Sequence, residues 1–386
     1  MKLVFVSNYL THHQVPLSNE LGKLFDYYFI ETEEMEEERK NMGWELGEIP
    51  PYVLCYYKNQ RECDELINSA DALIIGSADR EIVHERLKNG KIVFVYSERI
   101  YKKSYNPIKF PIHFLRLYSE YGRFSNAYLL AAGAYASSDY NRNFTFLNRA
   151  FKWGYFPEFK KHDLKTLFPQ KEQSSILWAG RMIDWKRPDL AIRTAIFLKN
   201  KGVDFKLRMI GTGVMETDLS RMIEEYGLSN HVEMLGAMKP EEVRHYMEKS
   251  EIFLFTSNRN EGWGAVLNEA MNSACGVVAS HSIGSVPYLL SDGENGIIFD
   301  SNSEGDLFLK VYNLCLNRCL LQKISENAYL TIENSWNARI AAERIGQLIE
   351  SAIKNDGNIM RLFSDGICSE ASRLHDDWFK GQVINH

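Results

Sequence analysis

Both halves of this chain repeat one pattern. A short run of apolar, often β-branched residues is followed by a polar or glycine-bearing loop and then by a segment with helical periodicity. Lys2–Ser7, Tyr27–Glu31, Tyr52–Tyr57, Ala72–Gly76 and Lys91–Tyr96 are such runs in the first half. Ile176–Ala179, Phe205–Ile210, Val232–Leu235, Glu251–Thr256 and Gly276–Ser280 are their counterparts in the second. A strand covered by helices on both faces is apolar along its whole length, so the pattern predicts βαβ units and parallel sheets. In sheets of that kind ligands bind at the carboxyl ends of the strands. The loops that follow the strands are therefore where function should be read.

The 386 residues suffice for two domains. The expected division is two α/β domains, at 1–165 and 166–335, and a helical tail at 336–386. The stretch Phe151–Ser174, interrupted by Gly154, Pro157 and Pro169, reads as the link. The formal charge of −6 argues against wholesale nucleic-acid binding. The six cysteines show no paired CxxC spacing, and no Asp-x-Asp triplet exists, so no metal site is expected. The first residues are too short an apolar run for a leader peptide, and the expected location is the cytoplasm.

Three loops of the second half carry chemistry. After Ile176–Ala179 comes Gly180-Arg181-Met-Ile-Asp-Trp-Lys186-Arg-Pro. A guanidinium and an ammonium at a strand's carboxyl end suit a diphosphate, through Coulomb attraction and charge-assisted hydrogen bonds. After Phe205–Ile210 comes Gly211-Thr-Gly213, which lacks the third glycine of a dinucleotide fingerprint. After Glu251–Thr256 comes Ser257-Asn-Arg-Asn-Glu261-Gly262-Trp263-Gly264-Ala265-Val-Leu-Asn-Glu269, leading into a helix expected from about Gly264 to Ala274. The glycines let backbone approach a ligand, and the two carboxylates, eight residues apart, suit sugar hydroxyls.

This combination resembles the retaining, nucleotide-sugar-dependent glycosyltransferases of the GT-B architecture, whose signature is E-x7-E. The resemblance covers about Ser174–Asp300. It implies an α/β fold of two Rossmann-like parallel-sheet domains facing each other across a cleft. It also implies transfer of a sugar from a nucleoside-diphosphate donor, with UDP favoured, to a glycan or lipid-linked acceptor in surface polysaccharide or glycoconjugate synthesis. The nucleotide sugar is a co-substrate, and no cofactor or metal is implied. By resemblance Arg181 and Lys186 hold the diphosphate, Glu261 faces the transferred sugar, and Glu269 takes the ribose hydroxyls. Backbone amides from Gly262 through Trp263 and Gly264 to Ala265 meet sugar and phosphate. The Gly211 turn and the loop Gly236–Met238 complete the donor site, with Met238 beside the base.

The first half resembles that family only in the order of its elements. Its first loop, Ser7–Gln14, places His12, His13 and Gln14 near an acceptor, with His13 or His84 available as a base. Glu98 and Arg99, after another strand, are further acceptor-side candidates, a structural ion pair being the alternative. The stretch 99–123 interleaves Arg99, Lys102, Lys103, Lys109, Arg116 and Arg123 with aromatics and only one acid, Glu120. That suits peripheral contact with the inner face of a membrane, the alternative being a core-packing helix. Two rival functions share the same features: a nucleotide-sugar epimerase, which needs no acceptor, and a non-catalytic partner that binds donor without turnover.

Overall fold

The computed structural model describes residues 1–37, 47–102, 105–355, 359 and 361–381. The chain divides into two compact units. One comprises Met1–Glu158 and Trp336–His375, and the other Phe159–Ser335 together with the segment from Asp376. The segments that complete each unit are thus far apart in sequence.

The first unit holds seven described strands: β1 (Lys2–Ser7), β2 (Asp26–Glu31), β3 (Val53–Cys55), β4 (Ala72–Ile75), β5 (Ile92–Ser97), β6 (Ala127–Ala132) and β7 (Ala150–Trp153). They form one sheet in the order β3-β2-β1-β4-β5-β6-β7, with every pairing parallel. The second unit holds β8 (Ser175–Ala179), β9 (Lys206–Ile210), β10 (Val232–Gly236), β11 (Ile252–Phe255), β12 (Gly276–Ser280) and β13 (Ile297–Phe299). Their order is β10-β9-β8-β11-β12-β13, again parallel throughout. Each order reverses once, between β1 and β4 and between β8 and β11. At such a switch point the connections after the two strands lead to opposite faces of the sheet, and ligands bind outside the strands' carboxyl ends.

Central strands are buried along their length, as the unbroken apolar runs require: β4, β6, β11 and β12 expose no residue appreciably. Edge strands come out shorter than their sequence suggests. The run Tyr52–Tyr57 reduces to Val53–Cys55, which is half-buried because it pairs on one side only. Phe151–Ser174, expected to lack regular structure, contains most of edge strand β7 and a short helix, Leu164–Leu167. The helical stretch after Glu304 is two helices, Glu304–Leu316 and Arg318–Asn334, broken where the Asn317 side chain caps the second by accepting from the Leu320 N–H at 3.0 Å. The helix Ala338–Lys354 belongs to the first unit, packed on Val15–Leu24.

One glycine fixes how tightly the strand-end loops of the second sheet can approach. Gly211 has φ 129°, and a Cβ there would lie 1.9 Å from the Gly180 carbonyl oxygen. The loops are laced by Gly180 N–H donating to Ile210 O at 3.0 Å, Met182 N–H to Thr212 O at 2.8 Å, and Gly211 N–H to Gly236 O at 2.7 Å. Gly211→Ala must break that lacing or strain the backbone, and should cost the second unit about 3 kcal/mol in urea unfolding. An unchanged midpoint would show that the loops tolerate separation.

Candidate functional site

The second unit's switch point brings the loops after β8 and β11 together. Trp178, on β8, donates its Nε1–H to Thr256 Oγ1 at 2.9 Å. Thr256 Oγ1 in turn lies 2.9 Å from the carbonyl oxygens of Lys186 and Arg187. Asn258 N–H donates to the Trp185 carbonyl at 2.8 Å. These bonds hold the Arg181–Arg187 loop against the start of the Ser257–Met271 stretch.

At their meeting point the Lys186 ammonium is ion-paired with Glu261 Oε2, and the Ser257 hydroxyl donates to the same oxygen at 2.9 Å. The side chains of Lys186 and Glu261 are only 16% and 9% exposed. A pair this shielded from water is strongly coupled, and removing one member strands the other. The Trp185 ring lies beneath both cations of the loop, 4.6 Å from Lys186 Nζ and 5.8 Å from the Arg181 guanidinium carbon. Arg181 itself is exposed. Its neighbour Arg187 has a structural partner: it adopts the left-handed conformation at φ 52° and grips Asp189 at 2.8 Å.

The helix that follows is Val266–Asn272, shorter than the expected Gly264–Ala274. It ends because Ala274 turns to φ 48°, the left-handed stop of a helix terminus. Gly264 has φ 81°, and a Cβ there would meet the Phe255 ring at 2.2 Å, so the backbone runs directly over β11. The Trp263 side chain is wholly buried; its Nε1–H donates to Asn268 Oδ1 at 2.9 Å, and its carbonyl accepts from the Ser285 hydroxyl at 2.6 Å. The indole is therefore a peg that fixes the loop, and only its backbone could face a ligand. Gly262 is buried, Ala265 stands at the helix start, and Glu269 is half-buried on the first turn. Gly211 and the half-buried Met238 follow β9 and β10, at the same carboxyl edge of the sheet.

The first unit has its own switch-point cavity of about 640 Å³, lined by residues after β1, β4 and β5. His13, Glu98 and Arg99 line it, while His12 packs ring to ring on His13 at 3.8 Å. Burial pushes the His13 imidazole down to about 4, so it is neutral near pH 7 and a weak base. Glu98 is held by the Tyr155 hydroxyl at 3.2 Å and Lys102 at 2.8 Å. The Arg99 side chain is nearly inaccessible, 3.6 Å from Asp139 and stacked on Tyr135, which makes it a buried structural cation. His84 stands apart, 3.3 Å from Arg123. Tyr96, at the end of β5, and Tyr155, just after β7, also line the cavity and were not anticipated. Ser257 and Trp185 were likewise missed, although Trp185 lies between the two cations in sequence. Among the described residues no group of three or more His, Cys, Asp or Glu is placed to hold a metal ion.

Residues 159–331 match the family described as glycosyl transferases group 1. That match falls within the second unit. An uncharacterized glycosyltransferase of Methanocaldococcus jannaschii is 29% identical over 163 residues, 42% of this chain and 44% of that protein. The amylovoran biosynthesis glycosyltransferase AmsK of Erwinia amylovora is 26% identical over 204 residues, 52% and 49% of the two chains. The chain thus spans about half the length of these curated relatives. The crystal structure of Anabaena HepE in complex with UDP aligns over 91% of this chain and 100% of that one, with a TM-score of 0.65 and 14% identity. The fold is accordingly GT-B, two Rossmann-like domains in one chain.

Lys186→Met should destabilise the second unit by about 3 kcal/mol, because Glu261 loses its partner in a shielded site. Adding Glu261→Gln should recover most of that loss in thermal or urea unfolding. Additive effects of the two substitutions would show that the pair is not coupled.

Proposed function

We propose that the protein is a glycosyltransferase. It moves a sugar from a nucleoside-diphosphate donor, UDP-linked by preference, to a hydroxyl of a glycan or lipid-linked acceptor in polysaccharide or glycoconjugate synthesis. The observation that carries this reading is the cluster of Arg181, Lys186 and Glu261 at the second unit's switch point, inside the segment that matches glycosyl transferases group 1. The relative that acts in amylovoran biosynthesis and the UDP complex of the fold neighbour support the donor and product classes.

The residues divide the work by charge. Exposed Arg181 meets the diphosphate first. Lys186 starts out neutralised by Glu261, and an arriving diphosphate competes for it. As Lys186 turns toward phosphate, the Glu261 carboxylate becomes an acceptor for hydroxyls of the transferred sugar. Glu269 takes the ribose hydroxyls, and the backbone from Gly262 to Ala265 lies along sugar and phosphate. In the reaction the bond from the anomeric carbon to the diphosphate oxygen breaks, and negative charge grows on the leaving group. Arg181 and Lys186 are placed to stabilise it. The acceptor oxygen bonds to the anomeric carbon on the same face, and its proton passes to the departing diphosphate. This sequence retains configuration and draws its positive charge from side chains. The neutral His13 and the Glu98 cavity belong to the acceptor in this reading. An epimerase would release no nucleoside diphosphate, and a non-catalytic partner would bind donor without turnover.

The test is a screen of UDP-, GDP- and ADP-sugars with glycan and lipid-linked acceptors, with and without chelator, recording nucleoside diphosphate release. Release from one donor class, indifferent to chelator, is expected. Glu269→Ala should then lower kcat/KM for that donor by about ten- to a hundredfold, the cost of removing a charged hydrogen-bond partner. Donor conversion without an acceptor and without release would favour the epimerase.

A further inference from the structure

The segment read in sequence as either a membrane contact or a core helix folds in an unusual way. It forms the turn Pro107–Lys109 and the helix Phe110–Leu117, followed by a widened turn at Tyr118–Gly122. Lys103 lies outside the described residues. The helix buries only Leu117 completely. Its opposite face is apolar and open: Ile112 is 70% and Leu115 64% exposed, about 140° and 160° round the helix from Leu117. An ordinary surface helix would put charge there. Ile108 and Tyr118 extend the same exposed face, and Phe110, Phe114 and Tyr118 stack along its flank at 5.9 and 5.7 Å.

A second element joins it from elsewhere in the chain. Phe144 is 61% exposed and meets Phe114 edge-on at 6.1 Å. Its φ is 54°, a conformation that costs a bulky residue about 1–3 kcal/mol. The fold therefore holds a phenylalanine outward in a strained backbone, beside a helix whose outer face is already apolar. Lys109, Arg116, Arg123 and Arg142 are exposed cations on the same two segments, against the single acid Glu120 that pairs with Arg116 at 3.9 Å. This local excess of positive charge stands on a chain of net charge −6.

We infer that this apolar, cation-rimmed face is a docking surface for an anionic lipid bilayer. Apolar side chains enter the headgroup boundary and cations meet the lipid phosphates. A second copy of the chain is the poorer occupant, because pairing two such faces sets Lys109, Arg116 and Arg142 against their own kind. No described helix is long and apolar enough to cross a membrane, so the contact is a surface one. It does not depend on the glycosyl-transfer reading.

The experiment is co-sedimentation of the full chain with vesicles of phosphatidylethanolamine containing about one-third phosphatidylglycerol, beside vesicles of phosphatidylcholine alone. Binding to the anionic vesicles is expected, weakening with salt, and at least about tenfold weaker to the neutral ones. Ile112→Ser with Leu115→Ser should lower partition about tenfold, and Lys109→Glu by about fivefold or more. Phe144→Gly separates docking from a structural role: glycine suits φ 54°, so Tm should hold or rise while partition falls. No binding at low salt, or equal binding to neutral vesicles, would overturn the inference even where transfer to a soluble acceptor proceeds. So would lipid-free dimerisation that the Ile112/Leu115 variant abolishes. A fall in Tm without a fall in partition for Phe144→Gly would assign that residue to packing instead.

Discussion

The ion pair between Lys186 and Glu261 depends on the reversal of strand order in the second sheet. The two residues are 75 apart in sequence and approach only because β8 and β11 are neighbours whose loops leave the same edge. The Trp178–Thr256 hydrogen bond then fixes those two loops to one another, and the Gly211 close approach holds the β8 loop against the one after β9. With both charges shielded, neither can be lost without stranding the other, so the resting site stores its cation beside its carboxylate. That arrangement suits a site whose ligand is anionic at one end and hydroxyl-rich at the other. In the proposed reading each charge is released to a different part of that ligand.

The two sheets share a strand order but not a loop chemistry. In the second unit the switch point gathers two cations on a tryptophan and the Glu261 carboxylate paired with one of them. In the first, the corresponding position holds a cavity lined by a neutral histidine, tyrosines and a carboxylate pinned by Tyr155 and Lys102. In the proposed reading the first meets the hydroxyl of an acceptor and the second holds phosphate. This division of chemistry follows from which residue types stand at strand ends, since the backbone offers both units the same crevice.

The alternation of apolar runs and helical segments was enough to read the parallel sheets, because burial on both faces leaves an unmistakable composition. Edge strands were harder: Val53–Cys55 is a short, half-buried run paired on one side, and Ala150–Trp153, though largely buried, is a short run whose outer edge is covered by the distant segment around Glu370. In the donor region the sequence marked Arg181, Lys186 and Glu261 individually. It could not indicate that Lys186 and Glu261 pair, since that contact is purely tertiary. Trp263 enters the sequence reading only through its backbone amide, and its side chain is buried, a large ring beside two glycines serving as a packing peg. Arg99 was weighed as either acceptor-facing or structural, and its contact with Asp139 lies on the helix Ala134–Asn141, out of reach of any local pattern. The outward apolar helix was visible as composition, but its orientation and its junction with Phe144 were not.

The most direct measurement of the central claim is a calorimetric titration of UDP, GDP and ADP into the chain and into Arg181→Ala, in chelator. Arg181 is exposed, so its removal leaves the packing intact and reads the ligand alone. One nucleoside diphosphate should bind at a single site, and the variant should bind it about tenfold or more weakly, as expected for a lost charge-assisted contact to phosphate. Binding of none of the three, or equal binding by the variant, would contradict a donor site at the second switch point.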